Sequence, residues 1–229
     1  MHYVIADVHN DNRRFRELLD RIGFGREDQL YLLGDLFDRG APQPDPVGVY
    51  FTVLGLGSRC TVVAGNHDRW LAEYIRATCG ADEKSRKNRG PYRYNSFELM
   101  SRRLTRVDML ELADWVFQLP LQVEAALGGE KLLFAHAMTS APGEPQPDSY
   151  YLTGGDKAFY TEGIDGYTSF CGHLGSENFL RYGGEYLDGS LGSVWRNERK
   201  NVYMMDCGCG FASGRLGCLR LETGERFYV

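Results

Sequence analysis

Five short stretches of this chain carry side chains able to do chemistry. Asp7-Val8-His9 sets a carboxylate and an imidazole two residues apart. On extended backbone such residues share a face, so both can reach one cation. Gly34-Asp35-Leu36-Phe37-Asp38-Arg39-Gly40 supplies two carboxylates and a guanidinium. There Asp35 can bridge cations, Arg39 can fork onto a phosphate, and Asp38 can orient a neighbouring base. Gly65-Asn66-His67-Asp68 offers a tight turn, an amide oxygen, an imidazole and a carboxylate. An amide oxygen suits a hard cation already served by carboxylates. His136 and His173 each close a short apolar run, as His9 and His67 do; only His2, of five histidines, does not. A single histidine at a strand end is usually an ordinary polar residue. Repetition of the pattern argues for one shared site.

These residues need elements that bring them together. Tyr3–Ala6, Leu30–Leu33 and Cys60–Ala64 read as strands that end at the three acidic motifs. Phe15, Leu18, Leu19 and Ile22 follow helical spacing, with cap candidates at Asn10–Asn12 and a stop at Gly23. Val47–Leu56 reads as a further helix. The order is strand, helix, strand with the chemistry at strand ends, where sites of open α/β sheets gather. Leu121–Ala125 and Lys131–Ala135 read as a hairpin around Gly128-Gly129, and Thr168–Cys171 as a short strand before His173. Residues 72–120 read as a mostly helical insertion with basic residues at Lys84, Arg86, Lys87, Arg89 and Arg93. That cluster is either a solvated face or a cap lending positive charge to a pocket. Residues 138–165, with Pro142, Pro145 and Pro147, read as a long loop. The tail, 202–206, 215–221 and 226–229, reads as strands of a second sheet.

Composition sets the bounds. A chain of 229 residues with 43% hydrophobic and 25% charged residues fits one soluble domain, with or without an insertion. A net charge of -5 argues against general nucleic-acid binding. No leader and no membrane-length apolar run is read, so a cytoplasmic location is expected, with the six cysteines as reduced thiols. Cys207-Gly208-Cys209 is too tight for the usual zinc pairs.

The three strand-end motifs, in this order and spacing, resemble the calcineurin-like metallophosphoesterases, and within them the branch of bacterial and phage Ser/Thr protein phosphatases and diadenosine tetraphosphatases. The resemblance is close from residue 1 to about 72 and thins to single motifs beyond. It implies an α/β (α+β) fold: a four-layer β-sandwich of two mixed sheets flanked by helices, with the site at one edge. It also implies one domain over 1–229. Two divalent metal ions would share Asp35, one held by Asp7 and His9, the other by Asn66, His136 and His173. Such mixed ligands fit Mn, Fe or Zn better than Ca or Mg, and Mn is expected first. Water activated between the metals would attack phosphorus in line. Arg39 would hold the phosphoryl oxygens, His67 would protonate the leaving group, and Asp38 would fix the His67 tautomer. Asp206, in Asp206-Cys207-Gly208, would support the site rather than ligate.

Two departures stand out. The first motif is flanked by Ala6 and Asn10, where the family has glycines. And no arginine occurs from 137 to 172, where Ser/Thr phosphatases of the family carry a second phosphate-binding one. Lys157 or an arginine of 84–106 would have to replace it, and lysine does not reproduce a bidentate fork. The main expectation is a phosphomonoesterase acting on phosphorylated protein (Ser, Thr or Tyr) or a small phosphoester. The alternative is hydrolysis of dinucleotide polyphosphates or phosphodiesters. A non-catalytic metal scaffold is the third reading; it leaves Asp38, Arg39 and His67 without a use.

Overall fold

The apolar runs of the first third form β1 (His2–Ile5), β2 (Gln29–Leu32) and β3 (Cys60–Val62), joined through α1 (Asn12–Arg21) and α2 (Pro46–Leu56). They do so in a computed structural model that describes residues 1–40, 42–81, 87 and 90–229. β1 pairs parallel to β2, and β2 parallel to β3. α1 starts where the Asp11 carboxylate accepts the Arg14 N–H, and α2 where Asp45 accepts that of Gly48, with Pro46 in the first turn. Gly23, at φ +61°, ends the first helix turn region in a conformation that glycine adopts freely.

Between β3 and the next strand the described residues include three complete helices and no strand. These are α3 (Asn66–Cys79), α4 (Ser96–Ser101) and α5 (Arg106–Gln118). α5 opens with a capping box in which Thr105 and Asp108 exchange side-chain and backbone bonds. Of the basic cluster, Lys84, Arg86 and Arg89 lie outside the described residues, while Lys87 and Arg93 are exposed.

The second sheet contains β4 (Gln122–Leu127), β5 (Glu130–Ala135), β6 (Thr168–Cys171), β7 (Glu185–Tyr186), β8 (Trp195–Arg196) and β9 (Val202–Met204). Its order is β4-β5-β6-β9-β8-β7. β4 and β5 form the expected hairpin, and β5, β6 and β9 run parallel. Two expectations need correction. The tail does not stay in the second sheet: β10 (Gly217–Arg220) and β11 (Arg226–Tyr228) join the first, in the order β11-β10-β1-β2-β3. β10 pairs antiparallel with β1 through Tyr3 and Arg220, and so satisfies a strand edge that would otherwise be bare. Nor is 138–165 a structureless loop. It holds α6 (Asp148–Thr153) and α7 (Lys157–Glu162), each of six residues and too short to show a helical period.

Alternation along the strands makes the layers. Tyr3, Ile5, Leu30 and Leu32 face Phe15 and Leu18 of the helical layer. Val4, Leu33 and Val63 face the other way and meet Phe134 and Phe170 of the second sheet. Tyr31, Phe134, Phe170 and Tyr203 stack through this interface, with ring centroids 4.1, 5.3 and 4.9 Å apart in sequence. Beyond the second sheet, Val202, Met204 and Trp195 pack on Phe159, Tyr160 and Phe179. The result is two mixed sheets face to face with helices outside, as the resemblance implied. Phe134 is fully buried at the centre of the stack. Phe134→Ala should cost about 3–5 kcal/mol in urea unfolding; less than about 1 kcal/mol would mean that the two sheets do not depend on this stack. No helix among the described residues is long and apolar enough to cross a membrane. All six cysteines are free thiols.

Candidate active site

Each strand that runs parallel in either sheet ends in one of the singled-out side chains. Asp7 and His9 follow β1, Asp35 follows β2, and Asn66 opens α3 just beyond β3. His136 follows β5, His173 follows β6, and Asp206 follows β9. The loops are tied crosswise. His9 N–H donates to Asp35 O at 2.9 Å, Asn10 N–H to Leu36 O at 2.9 Å, and Gly172 N–H to His136 O at 2.7 Å. The buried Asp68 carboxylate accepts from Leu36 N at 2.8 Å and Gly65 N at 3.0 Å, and so clamps the second motif to the third. Among the described non-glycine residues, those at positive φ are Asp7, His9, Asn10, Asp35, Asp38, Arg39, His173 and, away from the site, Lys200. Concentrated backbone strain of this kind marks functional loops. Two glycines allow the close approach. A Cβ on Gly65 would lie 2.1 Å from Asp35 N, and one on Gly172 2.1 Å from Asp7 Oδ2.

The side chains converge. Ligating atoms of Asp7, His9 and Asp35 lie within 4.8 Å of one another, as do those of Asp35, His136 and His173. Asp35 belongs to both groups. Its Oδ2 is 3.7 Å from His9 Nε2 and its Oδ1 3.4 Å from His136 Nε2. Backbone carbonyls fix the rings: His9 Nδ1 donates to Phe37 O at 3.0 Å and His136 Nδ1 to Leu33 O at 2.7 Å. Each Nε2 is left as a lone pair on the side of Asp35, with Arg39 Nη1 also reaching that of His9 and the Asn66 amide that of His136. One end of the Asn66 amide sits among three acceptors, His136 Nε2 at 2.9 Å, His173 Nδ1 at 2.9 Å and Leu152 O at 3.1 Å. With oxygen there, lone pairs converge and a cation reconciles them; turned over, the amide fills the place as a donor.

The charges in this cluster oppose one another. Burial pushes the Asp7 carboxyl well above its usual range, and Asp206 and Asp35 beside it push the same way. Burial raises Asp206 to about 6. It raises Asp68 to about 7, with Asp35 adding to the effect. Asp35 moves down: against burial, His136, His9 and His67 hold it at about 2. Burial lowers His9 to about 4 and His173 to about 4, so both are neutral donors at neutral pH. A divalent cation supplies the positive charge that this set lacks, and the donor set fits two. The raised Asp7 sets a sign. A cation must compete with the proton that the raised Asp7 favours, so Mn affinity should rise with pH, with protons released on binding. Titration calorimetry in buffers of different ionisation heat reads both, and a pH-independent affinity would contradict the assignment of Asp7.

Beside the cluster stand the three residues with no ligating role. His67 Nδ1 bonds to Asp38 Oδ2 at 2.9 Å, which directs Nε2 toward Arg39. Arg39 Nη1 donates to His9 Nε2 at 2.9 Å and Nη2 to His67 Nε2 at 3.4 Å. The guanidinium therefore lies at the rim of the cluster with its fork edge inward. The structure thus gathers all nine predicted residues into one place.

Sequence reading missed the supports. Tyr92 OH donates to Asp38 Oδ2 at 2.8 Å, and Ser96 N–H to Asp38 Oδ1 at 3.2 Å. Ser96 Oγ accepts from Asp38 N at 2.7 Å, and Asn95 Nδ2 donates to Arg39 O at 2.7 Å. Trp70 and Tyr94 meet the His67 ring edge-on at 5.0 and 4.5 Å. The polar aromatic run Tyr92-Arg93-Tyr94-Asn95-Ser96 was the available signal. Of the stand-ins expected for a second arginine, Lys157 is exposed on α7, Arg102 pairs with Glu98, Arg103 with Asp45, and Arg106 bonds to Cys79 O. Arg93 lies over the Tyr94 ring, 5.6 Å from its centroid, and Arg86 and Arg89 lie outside the described residues.

Residues 3–189 match the family model of the calcineurin-like phosphoesterases. The chain belongs to that family. That family is one of phosphoesterases that use divalent metals. Among curated relatives, a symmetrical bis(5'-nucleosyl)-tetraphosphatase of Proteus mirabilis is 35% identical over 137 residues, 59% of this chain and 43% of that protein. One of Nitrosomonas europaea is 45% identical over 70 residues, 30% of this chain and 25% of its own. This calcineurin-like chain thus aligns with less than half the length of either relative. A crystal structure described as a putative diadenosine tetraphosphatase superposes with a TM-score of 0.67 at 19% identity, covering 100% of this chain and 92% of that one. At that identity the likeness is one of fold.

Proposed function

We propose that this chain is a dinuclear-metal phosphohydrolase whose substrates are dinucleotide polyphosphates, with simple phosphomonoesters as secondary ones. The carrying observation is the Asp38–His67–Arg39 set at the rim of two ligand groups that share Asp35. A structural metal site has no need of it. The substrate class is supported by the tetraphosphatase relatives, which favour it over protein phosphatase.

Asp7, His9 and Asp35 would hold one cation, and Asp35, Asn66, His136 and His173 the other. When bound, such ions lower the pKa of a water and neutralise charge on phosphoryl oxygens. The chain's own groups do the rest. Arg39 binds two phosphoryl oxygens through its Nη groups, a geometry that also sets the angle of the phosphorus. His67 Nε2 carries a proton to the leaving oxygen. Asp38, fixed by Tyr92 and Ser96, holds the opposite ring nitrogen and so orients the ring. Asp206 and Asp68 hold loops in place.

The test is a competition. Mn-loaded protein is given diadenosine tetraphosphate and a phosphoserine peptide, and products are separated by chromatography. The expected result is nucleotide product with kcat/KM at least about tenfold above that for the peptide, a preference worth about 1.4 kcal/mol at the transition state. A preference for the peptide would restore the protein phosphatase reading.

A further inference from the structure

The proton-donating side of the site is faced with aromatic rings that no step above requires. Trp70 lies three residues after His67 in α3, on the same helix face. Tyr94 comes from the segment before α4. The two rings are parallel within 2°, with centroids 5.9 Å apart, and both meet the His67 ring edge-on. Trp70 is nevertheless 38% exposed. A large ring left in solvent at the mouth of a site is a surface for stacking, since it can bury its remaining face only against a ligand. Its place has a chemical meaning. His67 protonates the leaving oxygen, so whatever lies beyond His67 meets the leaving group.

A second aromatic face lies beside Arg39. Phe211 covers the guanidinium, its ring centroid 4.7 Å from Cζ, and is 53% exposed. His67 meets the edge of the same guanidinium. The loop that carries Phe211 is pressed onto the site at Gly210, where a Cβ would come within 2.5 Å of His9 Cβ. Arg39 thus has the Phe211 face on one side, and beyond the His67 that bonds to it lie Trp70 and Tyr94. That arrangement matches a polyphosphate with a planar group at each end.

We propose that Trp70 and Tyr94 form a stacking seat for the nucleobase of the leaving nucleotide, and that Phe211 offers the corresponding face for the other base. This rests on the dinucleotide polyphosphate reading above. The seat makes Trp70 a specificity determinant rather than a catalytic residue.

Binding separates the two claims. ADP and inorganic pyrophosphate are titrated into Mn-loaded wild type, Trp70→Ala, Trp70→Phe and Phe211→Ala by calorimetry. Trp70→Ala should lower the ratio of ADP to pyrophosphate affinity about tenfold or more, the loss that a base stacked on an aromatic face accounts for. Trp70→Phe should recover most of it. Phe211→Ala should raise KM for diadenosine tetraphosphate by a larger factor than it changes ADP affinity. An unchanged ratio in Trp70→Ala overturns the seat, and so does an equal loss for both ligands, which would make Trp70 a cover for His67 only. Phosphotyrosine affinity that depends on Trp70, with the ADP ratio unmoved, would assign the rings to aryl esters and overturn the nucleobase. Should wild type fail to hydrolyse diadenosine tetraphosphate while the ADP ratio still falls, the substrate reading fails and the seat stands.

Discussion

His67→Asn should lower kcat by about 10²–10⁴-fold on diadenosine tetraphosphate, with KM little changed, because it removes a proton donor used only in the transition state. The substitution is mild structurally. The His67 backbone N–H, which donates to Asp35 Oδ1 at 2.9 Å, is kept. The amide can still reach Asp38. On p-nitrophenyl phosphate the loss should be smaller, since that leaving group departs without a proton. The contrast between the two substrates is the informative quantity. An equal loss on both would mean that His67 shapes the site and donates nothing, and the assignment of Asp38 as its orienting partner would fall with it.

Asp35→Asn should do more damage to metal binding than any other single change. Asp35 is the residue common to both ligand groups, and it also accepts the His67 N–H. Removing its charge from a buried ionic cluster should weaken each cation by about 3–5 kcal/mol, or more than about 10²-fold in affinity. His173→Asn, by comparison, should weaken one site and spare the other. Metal content after equilibrium dialysis separates these outcomes; loss of only one ion from Asp35→Asn would show that the sites do not share it. Asp7→Asn is expected to behave differently again. Burial and its acidic neighbours oppose the Asp7 charge. A carboxyl raised in the folded state stabilises the fold below its unfolded pKa and loses that contribution as pH rises through the folded value. At neutral pH the metal-free variant should therefore melt higher than metal-free wild type, although it holds one ion less tightly.

Much of this site was legible because its residues cluster at strand ends. Asp7, Asp35 and Asn66 each follow an apolar run within a few residues, so periodicity located the strands and the strands located the chemistry. His136 and His173 were found by the same rule despite lying far along the chain. What the sequence did not disclose depends on contacts between distant segments. Tyr92 and Ser96 reach Asp38 from the helical segment between β3 and β4, and nothing in their spacing points at residue 38. Trp70 reads as one more apolar position of α3 until Tyr94 is seen to lie parallel to it. The last two strands of the tail pair in the first sheet rather than the second for a related reason. An apolar strand shows that it pairs but not with which edge, and β10 was drawn to the free side of β1. The two helices of 148–162 were missed because six residues do not complete two turns.

Two cations at the shared Asp35 are proposed to make this chain a phosphohydrolase. The direct measurement is turnover of diadenosine tetraphosphate by chelator-stripped protein as Mn is returned in sub-stoichiometric steps, with bound metal counted in parallel. The expected result is negligible activity in the stripped protein, two ions bound per chain at saturation, and activity that follows occupancy of the second. Full activity in metal-free protein, or with a single ion bound, would contradict it.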